Sequence, residues 1–570
     1  MGFSDRNYVC LLLVLILALT LAPANFRSAA AAGEKVESIL SRLTLEEKIG
    51  QLLMVKVLGG ANGRPDQRTQ SLIQELNAGS VIFYSFPDPR SATEFTNRMQ
   101  KWAKESSDEL PLLVGSDMEY GPGSTVGGDA TLFPHQMGIG ATGDPNLAER
   151  AASVTAREGR SMGIHWNFAP VADTNTNPEN PVIGVRSFGS DPETVGTFVK
   201  SAVRGYQEEG MIATLKHYPG HGDTSIDSHY GLPELSYDRE ELSRHLKPFG
   251  AGIAAGADAV MTAHIMVDSI DSNQPATTSK KIIEGLLREK QDFDGVVVTD
   301  ALNMGAIEEN FGQAEAAVDA IKAGADVLIS AGNYSDALEI RDSLLEAVRA
   351  GEISVSSVDE SVERVLLLKE KYGLLDGKII NDPAGAVEEA RRKQDKAVVK
   401  ELSRKAITLL RDNSNIISLS ENSEVLLVGV KDSTYLLEEE LKESLPGLDL
   451  SVYRTPGSSD YNDWSPSPSG IERAVELASE KDVVVLLTYS RSQLPEGQVE
   501  LGRSLSRVNQ NIVAVAEGLP YDYRKFPEVS TFIASYSYNR WNSPRRGHEA
   551  MTEAVVKVLT GEAKAKGEIP

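Results

Sequence analysis

Three histidines, one lysine and two aspartates lie within residues 216–233, although the whole chain contains only eight histidines. Glycines, prolines and Asp/Ser pairs in this segment predict a loop, and the apolar run at 211–215 predicts a strand before it. Asp227 and His229 are two residues apart, so a turn allows the carboxylate to accept a hydrogen bond from the imidazole. A solvated surface loop is the simpler alternative.

A second candidate for chemistry is Asp300, which follows the β-type run 295–299. Taken alone, Asp300 fits a helix cap equally well. The alternation of strands and helices described below predicts a barrel. If both segments lie at the same mouth of that barrel, Asp300 supplies a carboxylate nucleophile and His229 supplies a proton donor for cleaving an acetal. The Asp227 carboxylate would stabilise the protonated imidazole in that role.

A metal site is a rival interpretation of the same loop, with His217, His221, Asp223 and His229 as ligands. The His-x-x-x-His spacing suits a metal on a helix, but a proline and a glycine lie inside it. The prediction is therefore an enzyme with no metal and no cofactor. A sugar-binding protein that does not turn over its ligand is a further alternative, although the nucleophile candidate Asp300 would then have no catalytic role.

The composition is that of a soluble globular protein, with 41% hydrophobic residues in 570 and a net charge of -25. This acidic balance disfavours nucleic acid and anionic membrane surfaces as partners. A small-molecule or saccharide substrate is compatible with it.

The N-terminus has the pattern of a secretory signal peptide, residues 1–32, with an apolar run over 9–22 and small residues at 29–32. The run is short for a spanning helix, so an uncleaved anchor is the less favoured alternative. Cleavage removes Cys10, the only cysteine, which excludes disulfides and a cysteine nucleophile. The expected location is extracellular or periplasmic, with no stable membrane insertion.

After the signal, short apolar runs alternate with stretches of helical periodicity. Helices are predicted at 45–56, capped by Thr44, at 146–162 and at 361–375. Eight candidate strands fit a (β/α)8 barrel, and a doubly wound open sheet is the alternative. The strands are 51–57, 79–84, 111–116, 164–169, 211–215, 258–263, 295–299 and 326–330.

Polar residues follow the ends of five of these strands, as the barrel interpretation requires. They are Asp117, Glu119, Asp173, Lys216, His217, His264 and Asp300.

A second α/β unit is predicted after the barrel. The boundaries are 33–375 for the catalytic barrel, 376–392 for a linker and 393–570 for a smaller αβα sandwich domain. Its strands are expected at 406–410, 424–430, 482–489, 511–516 and 531–536. No Gly-x-Gly-x-x-Gly follows the first of them, so no dinucleotide site is predicted.

The segment 216–229, Lys-His-Tyr-Pro-Gly-His-Gly-Asp-Thr-Ser-Ile-Asp-Ser-His, resembles the signature of the β-N-acetylhexosaminidase branch of glycoside hydrolase family three. Residues 297–305 resemble the nucleophile segment of that family, and residues 167–173 and 180–189 also match. The resemblance covers roughly residues 44–375. The C-terminal unit is similar to the sandwich domain of the two-domain members.

This resemblance implies that Asp300 is the nucleophile of a retaining mechanism and that His229 is the acid/base, with Asp227 as its partner. It also implies sugar-binding roles for Asp117, Arg186, Lys216 and His217. One departure concerns the third strand, since the family commonly has Asp-x-Glu-Gly-Gly with an arginine soon after. Here Asp117-Met-Glu-Tyr-Gly-Pro-Gly lacks that arginine.

The function predicted from these residues and this resemblance is a secreted exo-β-N-acetylglucosaminidase. It would release terminal GlcNAc from chitin- or peptidoglycan-derived saccharides. A phosphorylase of the same family, which transfers the sugar to phosphate, is the closest alternative. A β-glucosidase has no need of the Asp227–His229 loop.

Overall fold

A computed structural model describes residues 24–58, 64–377, 379–413, 417–430, 434–455, 464–489, 493–537 and 549–570, with only the backbone for 24–32. Most of the predicted signal peptide lies outside these residues. The first described helix, Ala24–Arg42, runs through its expected cleavage region. Within the part of the chain that the structure describes, each helix is too short or too polar to span a bilayer.

Eight parallel strands form the sheet of the N-terminal part, in the order β10-β1-β2-β3-β4-β5-β7-β9. A parallel bridge between Val298 and Val327 brings its two ends together into a barrel. The remaining strands, β6 and β8, form a separate pair. In chain order the ten strands are β1 Leu53–Lys56, β2 Ser80–Ile82, β3 Leu113–Ser116, β4 Trp166–Asn167, β5 Ile212–Tyr218, β6 Glu234–Leu235, β7 Ala259–Thr262, β8 Met266–Val267, β9 Val296–Thr299 and β10 Leu328–Ser330.

The barrel strands bury both of their faces, which explains their nearly continuous apolar sequences. Alternate residues point to opposite sides of a strand. In β1, Met54 therefore joins the cluster that fills the barrel, whereas Leu53 and Val55 pack in the larger core beneath the helices. Trp166 belongs to the cluster inside the barrel, and its indole nitrogen donates a 2.7 Å hydrogen bond to Thr214.

Helices cover the barrel, and most of them begin at a side-chain cap. The helix Leu45–Gln51 has a capping box between Thr44 and Glu47, as predicted. The others are Gln67–Gln74, Pro89–Lys104, Gln136–Ala141, Pro145–Ser161, Pro192–Glu208, Arg239–Ala254, Lys281–Lys290, Gly305–Glu308, Gln313–Ala323, Tyr334–Ala350 and Val355–Lys371.

The C-terminal part has a six-stranded sheet in the order β11-β16-β15-β14-β12-β13. Only β11 runs antiparallel, against β16. The strands are β11 Thr408–Asp412, β12 Glu424–Val430, β13 Asp449–Thr455, β14 Val483–Thr488, β15 Ile512–Ala516 and β16 Thr531–Ala534. The helices of this part are Pro383–Ala390, Lys393–Ala406, Thr434–Ser444, Pro468–Ala478, Glu496–Val508 and Glu549–Leu559. Separate apolar clusters cover the two faces of the sheet, which makes an αβα sandwich.

The fold class predicted from the sequence is confirmed, and seven of the eight barrel strands lie within their predicted ranges. The eighth, β5, was predicted to end at residue 215 but continues to Tyr218, so Lys216 and His217 belong to the strand and not to the loop after it. The helix predicted at 45–56 was too long, because it ends at Gln51 and the following residues form β1. The closing helix, predicted at 361–375, is Val355–Lys371. One sandwich strand, β13, was missed, and the segment 376–392 contains the helix Pro383–Ala390.

Candidate active site

A cavity of about 640 Å³ opens at the carboxyl ends of the barrel strands. This is the end at which barrel enzymes carry out their chemistry. Six of the seven residues predicted from the sequence line it: Asp117, Arg186, Lys216, His217, His229 and Asp300. The seventh, Asp227, contacts the ring of His229. The structure therefore brings the predicted residues together, while their individual roles stay predictions.

Asp300 directly follows β9, and one of its carboxylate oxygens accepts a 2.8 Å hydrogen bond from the amide of Ala301. Burial opposes ionisation of this group most strongly. The nearby imidazoles of His264 and His217, followed by that of His229, outweigh burial and hold the pKa of Asp300 below its ordinary value. Asp300 is thus a carboxylate, the form that a nucleophile requires.

His229 lies in the long loop after β5, and its side chain is about half exposed to solvent, at 51%. Its Nδ1 atom is 2.7 Å from Oδ1 of Asp227, and its backbone amide donates to the same oxygen at 3.0 Å. Because an ionised carboxylate only accepts, Nδ1 carries the hydrogen and Nε2 is left to exchange a proton with a substrate. The predicted pairing of Asp227 and His229 is present.

Two backbone hydrogen bonds tie the His229 loop to the segment after Asp300. The amide of Gly305 donates to the carbonyl oxygen of His229 at 3.1 Å, and the amide of Ala306 donates to that of Ser228 at 3.2 Å. The loop after β5 therefore reaches across to the loop after β9. The acid/base candidate and the nucleophile candidate both line the cavity.

Lys216 is almost fully buried and contacts two carboxylates, with its Nζ atom 2.7 Å from an oxygen of Asp117 and 2.7 Å from one of Glu119. Burial lowers the pKa of Lys216, but the two carboxylates more than offset this and raise it. The ammonium is therefore charged. Asp117 is the more exposed of its two partners, with its side chain 35% accessible. Asp117 therefore presents part of its carboxylate to the cavity.

Arg186 pairs with Glu119 through a two-pronged contact, with Nε 3.0 Å from Oε2 and one terminal nitrogen 2.7 Å from Oε1. The buried position raises the pKa of Glu119, but Arg186 and Lys216 together hold it well below the ordinary value. This contact fixes the guanidinium plane. Two cations and two carboxylates thus form a charge-balanced floor of the cavity.

His217 and His221 are oriented by the fully buried Asp173. The Nδ1 atom of His217 lies 2.7 Å from Asp173, and the backbone amide of His221 donates to it at 2.6 Å. The Nε2 atom of His217 is then an acceptor, and it lies 3.3 Å from a terminal nitrogen of Arg186. Burial lowers the pKa of His221 to about 4, so its ring is neutral.

The contacts of the histidines bear on the metal alternative. The two ring nitrogens of His221 contact Thr224 at 2.8 Å and Ser228 at 2.9 Å. His217 and His229 each use Nδ1 for an aspartate. Among the described residues there is no group of three or more histidine, cysteine or acidic side chains that could hold a metal ion.

Three residues of the site had no role in the sequence interpretation: Glu119, Asp173 and His264. All three were recognised as polar residues at strand ends, which was the available signal. Their functions depend on partners distant in sequence. Asp173 orients His217, Glu119 pairs with Arg186, and the Nε2 atom of His264 donates to the carbonyl of Ala301 at 3.0 Å, beside Asp300.

Comparison with known proteins identifies the family. Residues 44–368 match the model of the glycosyl hydrolase family 3 N terminal domain. The chain belongs to glycosyl hydrolase family 3. The match spans the whole barrel, including the segments that carry Asp117, His229 and Asp300.

Several known proteins resemble the chain over both domains. Beta-hexosaminidase A of Pseudoalteromonas piscicida is 29% identical, covering 93% of this chain and 97% of the relative. A solved family 3 beta-N-acetylglucosaminidase from Paenibacillus sp. str. FPU-7 is 34% identical, with a TM-score of 0.83, 93% of this chain and 98% of that chain covered. The beta-glucoside phosphorylase BglX is 26% identical, with a TM-score of 0.80 and coverage of 95% and 96%. The chain is thus a glycoside hydrolase of family 3 with its two-domain architecture.

Proposed function

We propose that the protein is a retaining exo-β-N-acetylglucosaminidase that removes terminal GlcNAc from chitin- or peptidoglycan-derived saccharides. The observation that supports this most directly is that one cavity contains both a candidate nucleophile and a candidate proton donor. Asp300 is held ionised, and His229, backed by Asp227, lines the same cavity. A carboxylate and a proton donor on one sugar-sized cavity are the requirements of acetal cleavage with retention.

In the first step an oxygen of Asp300 attacks the anomeric carbon and the bond to the aglycone breaks. The Nε2 atom of His229 gives its proton to the departing oxygen, so the aglycone leaves as an alcohol. In the second step His229 takes a proton from water, and the water oxygen displaces Asp300. Two displacements restore the original configuration. Asp117, Lys216, Arg186 and His217 would hold the sugar during both steps.

GlcNAc as the terminal sugar rests on the resemblance of the loop 216–229 and on the names of the relatives. The Paenibacillus neighbour is a beta-N-acetylglucosaminidase, and the Pseudoalteromonas relative is a beta-hexosaminidase. Export through the predicted signal peptide, residues 1–32, is part of the same proposal.

The test is to supply 4-nitrophenyl β-N-acetylglucosaminide and the matching β-glucoside, and to follow the released sugar by NMR. We expect turnover of the first substrate, little of the second, and the β-anomer as the first product. The α-anomer as first product would contradict retention. Binding without turnover would instead favour a sugar-binding protein.

Phosphorolysis is the second candidate, favoured by the likeness to the beta-glucoside phosphorylase and by the use of a histidine in place of a carboxylate acid. A neutral imidazole does not repel a phosphate that approaches the glycosyl-enzyme as acceptor. Turnover measured with and without inorganic phosphate separates the two candidates. A large acceleration together with GlcNAc 1-phosphate as product would identify a phosphorylase.

A further inference from the structure

The backbone of Arg186 is held by a contact separate from the ion pair that its side chain makes with Glu119. Arg186 ends the short 3₁₀ helix Gly184–Arg186, in the long connection after β4. Its carbonyl oxygen accepts a 2.7 Å hydrogen bond from Nε2 of Gln136. Gln136 is only 2% exposed and is not among the residues that line the cavity. A predicted sugar-binding residue is therefore anchored by a side chain outside the site.

The side-chain amide of Gln136 joins three segments of the barrel. Its Nε2 atom also donates to the carbonyl oxygen of Val171 at 3.1 Å, and its Oε1 atom accepts from the amide of Val171 at 3.1 Å. Val171 lies beyond the end of β4 and is fully buried. A primary amide has two donor hydrogens and an acceptor oxygen, and here all of them have backbone partners. An apolar side chain of the same length would lose all three hydrogen bonds.

The helix that begins with Gln136, Gln136–Ala141, packs directly on the segment of Arg186. The closest approach is at Gly140, where a Cβ atom would lie 1.9 Å from the carbonyl oxygen of Phe188. Phe188 follows Arg186 by two residues. Only glycine fits at this position without moving one of the two backbones.

The opposite side of the same helix is supported by the sandwich domain. A Cβ atom at Gly138 would lie 2.8 Å from Cβ of Tyr536, which follows β16 and is fully buried. The amide of His135 donates to the carbonyl oxygen of Tyr536 at 3.3 Å, and the amide of Glu568 donates to that of Ala141 at 2.9 Å. Both ends of the helix are thus bonded to the second domain.

We propose that Gln136 is a positioning residue for Arg186, and that its helix, supported by the sandwich domain, sets the distance between the guanidinium and the terminal sugar. This proposal rests on the proposed function, because it concerns how a sugar-binding group of that site is held. Glu119 fixes the guanidinium from the cavity side, whereas Gln136 fixes the backbone from behind. Loss of the backbone anchor lets the segment shift, so that the side chain can no longer reach both Glu119 and the sugar.

Steady-state kinetics of Gln136→Met test the proposal. Methionine is similar in length but cannot form the three hydrogen bonds. We expect KM to rise on the order of tenfold with a smaller change in kcat, because a misplaced binding group weakens the ground state and the transition state alike. KM does not depend on the amount of folded enzyme, so a substitution that only destabilises the fold leaves KM unchanged. An unchanged KM in Gln136→Met overturns the proposal.

A double-mutant cycle with Arg186→Lys shows whether Gln136 acts through Arg186. Lysine keeps the positive charge beside Glu119 but loses the planar fork of the guanidinium. We expect Gln136→Met to raise KM by less than about twofold in the Arg186→Lys background, because the group that it positions is already lost. Effects of the two substitutions that simply multiply overturn the proposal.

Gly140→Ala displaces the same segment while leaving the amide of Gln136 in place, and it decides the question if Gln136→Met does not fold. The added methyl group presses on the carbonyl of Phe188, so KM should rise here too, again only while Arg186 is present. Gly285→Ala is the matched control, since a Cβ atom at this helical glycine would have nothing within 4 Å. A KM in Gly140→Ala equal to that of Gly285→Ala counts against the proposal.

The wild-type protein tests the proposed function separately. All variants are assayed with whichever aryl glycoside the wild type cleaves, the β-N-acetylglucosaminide or the β-glucoside. Failure to cleave the N-acetylglucosaminide contradicts the proposed function. The comparison of variants then proceeds with the other sugar, because Arg186 lines the cavity in either case.

Discussion

The backbone amide of Gly305 donates a 3.1 Å hydrogen bond to the carbonyl oxygen of His229. This bond joins the loop of the proposed acid/base to the segment of the proposed nucleophile, although about 70 residues separate Asp300 from His229 along the chain. A half-exposed histidine on a long loop would otherwise have few constraints on its position. Here the backbone hydrogen bond from Gly305 holds the loop next to the segment that follows Asp300, before any substrate binds.

Asp300→Ala should abolish turnover, with a loss of roughly 10⁴-fold or more in kcat, because no other group can form the glycosyl-enzyme. Hydrolysis of an aryl β-N-acetylglucosaminide measures the loss, and circular dichroism checks the fold. Asp294→Ala is a matched control, since Asp294 is exposed and lies just before the same strand. Added azide should rescue Asp300→Ala and yield the α-configured glycosyl azide. A residual rate close to the wild type would remove Asp300 from the nucleophile role.

His229→Ala should lower the rate in a way that depends on the leaving group. An aglycone such as 2,4-dinitrophenol departs without a proton, whereas a sugar alcohol requires one. We expect a loss on the order of 10²–10⁴-fold for diacetylchitobiose and a much smaller loss in the first step for the dinitrophenyl substrate.

Asp227→Ala tests whether the carboxylate partner of His229 contributes to acid catalysis, by comparison with His229→Ala. It should follow the same leaving-group pattern with a smaller amplitude, because the imidazole remains but loses its 2.7 Å partner. Equal losses across leaving groups in both variants would count against general acid catalysis by His229.

Glu119→Gln should damage binding and stability together. The substitution leaves Lys216 and Arg186 buried with one carboxylate, Asp117, for two cations. Breaking a buried charge network typically costs about 3–5 kcal/mol. We expect a higher KM and a lower unfolding midpoint, whereas Glu109→Gln, at an exposed residue outside the cavity, should change neither. Wild-type affinity for the substrate in Glu119→Gln would show that Arg186 is positioned by other contacts.

Glu119 also marks the limit of what the sequence could predict. Hydrophobic runs located all eight barrel strands, the loop motif located Asp227 and His229, and the β-type run 295–299 located Asp300, because all three signals are local. The partnership of Glu119 with Arg186 joins residues 67 positions apart, and no local pattern encodes it. The helix at 45–51 was extended too far for a related reason. Its apolar periodicity continues into β1, and only barrel packing decides where the helix stops.

Strand β13 was missed because its own sequence carries a weak hydrophobic signal. It lies at the edge of the sandwich sheet and is only partly buried, so its sequence Asp-Leu-Ser-Val-Tyr-Arg-Thr is more polar than the central strands. Its neighbour β12, buried over Val425, Leu426, Leu427 and Val428, was predicted with the observed bounds.

Glu158→Gln should change how stability depends on pH. Glu158 is fully buried, and its carboxylate oxygens accept hydrogen bonds from the backbone amide and the hydroxyl of Thr131. Burial raises its pKa from 4.5 to about 7. Between these values the folded protein keeps a proton that the unfolded chain has released, so the free energy of unfolding falls as pH rises from about 4.5 to about 7.

Glutamine resembles the protonated acid and does not titrate, so Glu158→Gln should remove this loss. At 1.4 kcal/mol per pKa unit, the variant should gain about 3 kcal/mol over the wild type on going from pH 4.5 to pH 8. Denaturant unfolding across this range measures the difference. Asp522 of the sandwich domain, whose pKa burial raises to about 7, titrates in both proteins and so forms a common background. A difference between variant and wild type that is constant with pH would show that folding leaves the pKa of Glu158 unchanged.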